Sequence, residues 1–587
     1  MDTCNVCHMP TCGAEVDNLK NCRVNNTLCL CCCMLKSNIP KEWSKIRWPE
    51  VEQKVYYLQS KIFKLSKEGN NGFKIWNLQK SLIKCMEARL LSTRKVTQDN
   101  RGKATAGVDG VTINTGASRL QLAKELIIDG SACPVKRVWI TKANGNLRPL
   151  GVPTIKDRAK QSLTKMALEP EWEARFEPNS YGFRPGYSCA DAKWAVTRQI
   201  QGSSKYFLDA DIQGCFDNIS HIYLLEKLQT SPMIASQIRS WLKAEIMEKP
   251  MKEHEEFENL KGTPQGSIIS PLLANVALHG METYLMEKAQ DKIKVIRYAD
   301  DFVVLSSSIK AIKDSMVNAT EFLKPIGLNL NMEKTRIGHS MSVYENQSAG
   351  FDFLGFHFRN YKTSVHRGVK STQGKKQTFR QRTIPSRKAV KSHLNALKAS
   401  VRSHKVAPLE SVVSALSAKT TGWTNYFCIS NCQKTFSYID YRLWKILWKW
   451  SVKRHKGSKR ATLRSWSTAN RWSLGYVRET DGLNILLKRH DQTKIRNHIK
   501  IRQGASIYDG HLIYFAKRLS RGNLRLERLN RLLKSQDYRC KICGLVFCPT
   551  DIIELHHVVP KSPGQGEKTK QQLQWVHGHC HDQVHST

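Results

Sequence analysis

The sequence predicts a multidomain α+β protein: an α+β body, a basic helical region behind it and a small metal-centred module near the C-terminal end. Three observations carry that expectation. Two strand-like runs about ninety residues apart both end on aspartates, which one sheet can gather into a single site. The formal net charge is +43, and between Arg359 and Lys534 there are 40 Lys/Arg against 7 Asp/Glu, so +33 of it lies in one stretch. About the last fifty residues space cysteines and histidines as metal ligands are spaced.

The first run is Arg297-Tyr298-Ala299-Asp300-Asp301-Phe302-Val303-Val304-Leu305, with Val295-Ile296 before it. Two apolar β-prone segments around a polar break read as a hairpin whose tight turn presents the Asp pair. The second is Tyr206-Phe207-Leu208-Asp209-Ala210-Asp211, followed by Ile212-Gln213-Gly214-Cys215-Phe216-Asp217. Two strands that each bring a carboxylate to one edge of a sheet can hold a pair of magnesium ions. Such a pair activates a 3′-hydroxyl and stabilises a leaving pyrophosphate, and magnesium asks only for hard oxygen ligands.

A length of 587 residues leaves room for several domains and more than one apolar core. A charge of +43 exceeds what solubility needs and implies a polyanionic partner, nucleic acid. No apolar run approaches the roughly 18 residues of a membrane span, and no signal peptide is read at the start. An intracellular protein is expected, of a bacterial cytoplasm or an organelle, without a membrane partner. Of the 18 cysteines, eight fall within the first 33 residues, six are scattered and four cluster near the end, which favours a reducing compartment and metal chemistry over disulfides.

Along the chain, residues 1–40 have no readable period. Cys4 and Cys7 have the spacing that opens a zinc site, but Cys31, Cys32 and Cys33 follow no ligand spacing, so a disordered extension is expected. From Trp43 the pattern turns helical: Val51, Val55, Leu58, Ile62 and Leu65, then Ile75, Leu78, Leu82 and Met86. Two short strands around Asn144-Gly145 carry Lys142 and Arg148, cations that one rigid hairpin could close on a triphosphate. Thr263-Pro264-Gln265-Gly266-Ser267 precedes an apolar helix. Within Asp440–Trp450, Leu443, Ile446, Leu447 and Trp450 form an apolar stripe, leaving Arg442, Lys445 and Lys449 to face phosphates.

Tyr298-Ala299-Asp300-Asp301 resembles the palm box of reverse transcriptases. Asp211 to Ile219 resembles its partner box in the form used by group II intron-encoded proteins, and the resemblance continues in order from about Trp43 to the C-terminus. It implies a right-hand polymerase of fingers and palm over residues 41–360, a helical thumb or maturase domain over 361–470 and a basic DNA-binding region over 471–535. It also implies roles. Asp211, Asp300 and Asp301 would be catalytic magnesium ligands, and Lys142 and Arg148 would hold nucleotide phosphates. Phe216 would be the gate against a ribose 2′-hydroxyl, Gln265 would contact template and nucleotide, and Lys334 would neutralise the pyrophosphate. Ser180–Gly186 resembles the template grip, and Phe353–Phe356 the support of the primer end.

In residues 536–587, Cys540-x-x-Cys543 is answered by His577-x-x-Cys580, four ligands suited to tetrahedral zinc. With His556-His557 between them and His581 after, the segment resembles the ββα-metal (HNH) nuclease. That implies a nuclease cation on His556 and His581, with His557 activating water. Gln572 stands where the motif has an asparagine that orients this base. The whole resembles an intron-encoded protein that binds its intron RNA, assists splicing, nicks target DNA and copies the intron into it from deoxynucleotides. A splicing-only maturase and a non-intron enzyme of the retron type are the rivals.

Overall fold

Amphipathic helices open the body, for the reason their spacing gives. Trp48–Lys67 starts with a proline in its first turn and turns Val51, Val55, Leu58 and Ile62 inward onto the 21-residue helix Ile155–Arg175. The structure, a computed structural model, describes residues 41–69, 72–141, 145, 147–247, 262–263, 265–363, 379–464, 466–467, 473–478, 482–522, 527–558 and 573–585. It also describes the backbone of two short strand pairs, Arg23–Val24 with Thr27–Leu28 and Val369–Lys370 with Lys376–Gln377. Cys4, Cys7, Cys31, Cys32, Cys33, Lys142 and Gln572 lie outside the described residues.

The expected hairpin of the fingers is present: Val135–Thr141 pairs antiparallel with Leu147–Val152, and Ile246–Met247 joins its other side in parallel. The palm is a four-stranded antiparallel sheet in the order Ile293–Tyr298, Asp301–Ser306, Tyr206–Asp211, Arg336–His339. Alternation divides its side chains between two cores. Leu208, Ala210, Val295, Phe302 and Val304 pack with the helix Ile309–Leu323, whereas Phe207, Ile296, Val303 and Leu305 pack with Cys189–Gln201. Both faces are covered, which explains why these strands read as continuous apolar runs.

Beyond the palm a three-stranded sheet, Phe351–Phe353, Phe356–Lys362 and Phe379–Pro385, leads into three helices, Arg387–Ser403, Leu409–Phe427 and Gln433–Arg454. Their shared core holds Leu397, Leu416, Ile439, Leu443 and Leu447, with Ile446 and Trp450 packed against it and Arg442, Lys445 and Lys449 exposed. The stripe expected on the last helix is there.

Residues 489–518, within the expected basic region, are fastened to the body. They run back across the palm, where Ile501, Ile507, Tyr508 and Phe515 join the core of Tyr181 and Phe207. The tie is Asp191, fully buried, which accepts from His498 Nε2 (2.9 Å), Ile501 N (2.7 Å) and Arg518 Nη2 (2.8 Å). Burial pushes this carboxyl up, but the His498 hydrogen bond and the Arg518 charge outweigh it and hold Asp191 below the usual aspartate value. Composition hid the strap because its few apolar anchors are scattered among cations. The chain then closes with a ββα unit, Ile553–His557, Leu573–His577 and Gly578–His585, and Gln583 Nε2 donates to the carbonyls of Ser44 and Ile46 at 3.1 Å each. Among the described residues no helix is long and apolar enough to cross a membrane.

Candidate active sites

The pairing register of the palm builds the first site. Asp211 ends the central strand directly opposite Asp301, and Asp300 occupies the turn between Tyr298 and Asp301. Cross-strand neighbours on one face bring Cβ atoms within about 4.5–5.5 Å, so Asp211 and Asp301 repel. Burial, then a hydrogen bond with Asp211 and the charges of Asp300 and Asp211, push Asp301 up to about 7. Asp300 is raised mainly by burial and by Asp211, partly offset by the charges of Arg148 and Lys334. Lys334 Nζ donates to Asp211 Oδ2 at 2.6 Å, and Asn331 Nδ2 reaches the same oxygen at 3.4 Å. Asp209, two residues back on the same face, is bound by Arg336 at 3.3 Å, and its charge adds to the rise of Asp301. Asp211 and Asp301 face each other with Asp300 in the adjoining turn, and hard-oxygen carboxylates whose mutual repulsion a divalent cation would relieve fit magnesium.

The turn is held from behind. Ala299 has φ 58°, the left-handed region that a Cβ makes costly by ~1–2 kcal/mol. Arg297, completely enclosed and pushed down to about 10 by burial, donates through Nη1 to Ala299 O (3.1 Å) and to Asn275 Oδ1 (3.2 Å). Asn275 in turn donates to Gly182 O at 2.7 Å. A Cβ on Gly182 would lie 2.3 Å from Ala299 N, so only glycine lets the turn seat there. Arg184, in the stretch resembling a template grip, is buried and spent internally: it grips Glu173 (2.9 Å) and the carbonyls of Glu177 and Ser180 (3.0 Å each). Phe183 is instead the exposed residue of that loop, edge-on to Phe216 at 5.9 Å.

A polar chain joins fingers to palm. Arg148 Nε donates to Gln265 Oε1 at 2.7 Å, and Gln265 Nε2 donates to Asp217 at 2.7 and 2.9 Å. The Gln265 turn also lies on the hairpin, with Gly151 N donating to Gln265 O at 2.6 Å. Phe216 is half-buried beside Asp217. Sequence reading missed Asp217 as a partner; its only signal was a third carboxylate six residues after Asp211.

In the ββα unit the candidate ligand atoms of Cys540, Cys543, His577 and Cys580 all lie within 4.8 Å of one another. Cys543 Sγ is 3.3 Å from His577 Nδ1, and the opposite ring nitrogen faces Asp551 at 3.3 Å, the carboxylate support a ligand histidine uses. Hydrogen bonds from Cys543 and then Cys580 drive Cys540 strongly toward thiolate. A second group joins His556, His581 and His585. His581 Nδ1 is bound to Glu554 at 2.7 Å, its Nε2 faces His585 Nε2 at 3.1 Å, and His556 Nδ1 is buried with no hydrogen-bond partner. Three histidines whose candidate ligand atoms lie within 4.8 Å of one another, one of them with an orphaned ring nitrogen, fit a cation. The sequence assigns the cation to His556 and His581 and leaves His585 without a role; one helical turn brings it beside His581. His557 is outside the group, since alternation along the strand turns it away from His556.

Residues 43–126 match the family model for the N-terminal domain of reverse transcriptase, and 140–358 the one for reverse transcriptase (RNA-dependent DNA polymerase). Residues 390–472 match the group II intron maturase-specific domain, and 540–587 the HNH endonuclease. Group II intron-encoded protein LtrA of Lactococcus lactis subsp. cremoris is 26% identical over 465 residues, 64% of this chain and 75% of that protein. The chain thus carries, in one order, the reverse transcriptase, maturase and HNH domains, and it is similar to a group II intron-encoded protein. Protein YkfC of Escherichia coli (strain K12) is 29% identical over 313 residues, 45% of this chain and 79% of the relative. Maturase-like protein 1 of Euglena gracilis is 27% identical, covering 55% and 66%.

By these matches the chain joins an RNA-directed DNA polymerase, a group II intron maturase domain and a nuclease of the HNH family. Both enzyme families use divalent metals, and the maturase match implies intron RNA as a partner.

Gly182→Ala tests the packing behind the turn. The added methyl must push the Ala299 backbone away, so thermal stability should fall by about 1–3 kcal/mol. Primer extension should fall much further than stability does. Wild-type extension by a stable Gly182→Ala protein would show that the turn does not depend on this contact.

Proposed function

We propose that this intron-encoded protein makes DNA on its RNA template at Asp211, Asp300 and Asp301, and nicks target DNA at its terminal ββα unit to supply the primer. The observation that carries the polymerase reading is the register that sets Asp211 against Asp301 beside the Asp300 turn. Two magnesium ions, when bound, would activate the primer 3′-hydroxyl and stabilise the leaving pyrophosphate. The chain's own residues do the rest. Arg148, oriented by Gln265, presents its guanidinium to the nucleotide phosphates, with Lys142, next in sequence after the strand Val135–Thr141, proposed as its companion. Lys334, beside Asp211, neutralises charge that develops on the pyrophosphate and can give it a proton. Phe216 closes the sugar side, which favours deoxynucleotides.

The domain assignment follows: polymerase over 41–360, maturase over 361–470, a basic DNA-contacting region over 471–535 and the nuclease over 536–587. Cys540, Cys543, His577 and Cys580 would hold a structural zinc ion, and His556, His581 and His585 the nuclease cation. His557 would take the proton from water. A bacterial cytoplasm or an organelle is the compartment that accords with such partners.

Asp211→Ala and Asp300→Ala should each lower primer extension on an RNA template by about a thousandfold or more, while RNA affinity stays within a factor of two or so. Near-normal synthesis by either variant would refute the assignment. For the nuclease, His557→Ala should stop strand cleavage of target DNA with bound zinc unchanged. Cys540→Ser should lose both, because a module this small cannot keep its core without its metal. Extension from a supplied primer should survive both changes. Cleavage by His557→Ala at the wild-type rate would transfer the water-activating role to another group.

A further inference from the structure

Two features of the maturase domain are unexplained by polymerisation or cleavage: a cleft of about 220 Å³, and the aromatic side chains around it. The cleft lies between the helix Gln433–Arg454, the strand Ser473–Val477 and residues 487–489, which follow the strand Asn484–Leu486. Its walls include Tyr441, Trp444, Leu447, Trp466, Leu474 and Leu487. Trp444 and Trp466 meet edge to face at 6.2 Å, which fixes one wall, while Tyr441 is 53% exposed at the mouth. A core residue gains nothing from that exposure, whereas a stacking platform requires it.

Charge gives the occupant. Lys445 Nζ stands 4.4 Å over the Tyr441 ring, Arg442 is exposed beside it, and Lys488 lines the other side, its charged form disfavoured by burial. Asp440, the one carboxylate in the lining, is satisfied by the backbone N–H groups of His490 and Asp491 and by His490 Nδ1 (2.6–2.9 Å). No unpaired carboxylate of that lining therefore faces a polyanion. The space is smaller than the ~300 Å³ at which sites for drug-sized ligands begin, and suits one planar heterocycle.

We propose that this cleft receives a single unstacked nucleobase of RNA, stacked on Tyr441 and Trp444, with Arg442 and Lys445 on the adjoining phosphates. The proposal rests on the reading that the maturase domain binds RNA, and adds to it a base-dependent contact in a defined place.

The test uses the full-length protein at moderate salt and two fluorescent probes: a 12-nucleotide mixed-sequence single-stranded RNA and an abasic oligomer of the same length and charge. Tyr441→Ala should weaken binding of the RNA about tenfold and leave the abasic oligomer unaffected, since one base–aromatic stack is lost and no charge is. In parallel, 5-iodouridine placed along the RNA should photocrosslink to the wild-type peptide that contains Tyr441 and Trp444. Equal loss for both probes, or unchanged RNA binding with crosslinks only elsewhere, would overturn the base pocket while leaving a charge-based RNA surface intact. Failure of the wild-type protein to bind either probe would overturn the RNA-binding reading as well.

Discussion

The antiparallel register between Tyr206–Asp211 and Asp301–Ser306 is the constraint on which the candidate polymerase site depends. A one-residue slip would send Leu208, Ala210, Phe302 and Val304 to the wrong core and turn Asp211 away from Asp301. Apolar burial on both faces thus enforces an arrangement that electrostatics alone opposes. The repulsion is not removed inside the protein: Lys334 is the one cation bonded to Asp211 among the described residues, and Asp301 is left with a raised pKa. A site that folds with unneutralised carboxylates is ready for a cation. The left-handed Ala299, seated on Gly182 and tied by Arg297, is the local strain that accompanies it.

The same economy links the distant parts of the chain. Asp191 draws His498, Ile501 N and Arg518 onto the palm, and Gln583 fastens the last helix to the residues just before Trp48–Lys67. The candidate nuclease is therefore carried on the polymerase body rather than hung from a free linker. Edge-on contact of His579 with Trp48 at 6.2 Å makes the join apolar as well as polar.

What the sequence told depended on range. The aspartate runs, the helical stripe at Leu443 and Leu447, and the Cys/His spacing are local patterns, and they were legible. Asp217 and the trio Gly182, Arg297 and Asn275 matter through contacts between segments far apart in the chain, which periodicity does not encode. The stretch Ser180–Gly186 resembled a template grip, yet its Arg184 is an internal ion pair with Glu173, a partner that a local motif does not reveal. The strap at 489–518 was hidden by its charge, because four apolar anchors do not stand out among cations. His585 was visible but undistinguished until the helix placed it against His581.

The central claim is that Asp211, Asp300 and Asp301 form one divalent-cation site, and iron-directed cleavage tests it most directly. Fe²⁺ in place of magnesium, with ascorbate and peroxide, cuts the backbone beside the ion. Two cuts are expected, near residue 211 and near residues 300–301, both suppressed by excess magnesium and both lost in Asp211→Asn. Cuts at only one strand, or a pattern unchanged by Asp211→Asn, would contradict it.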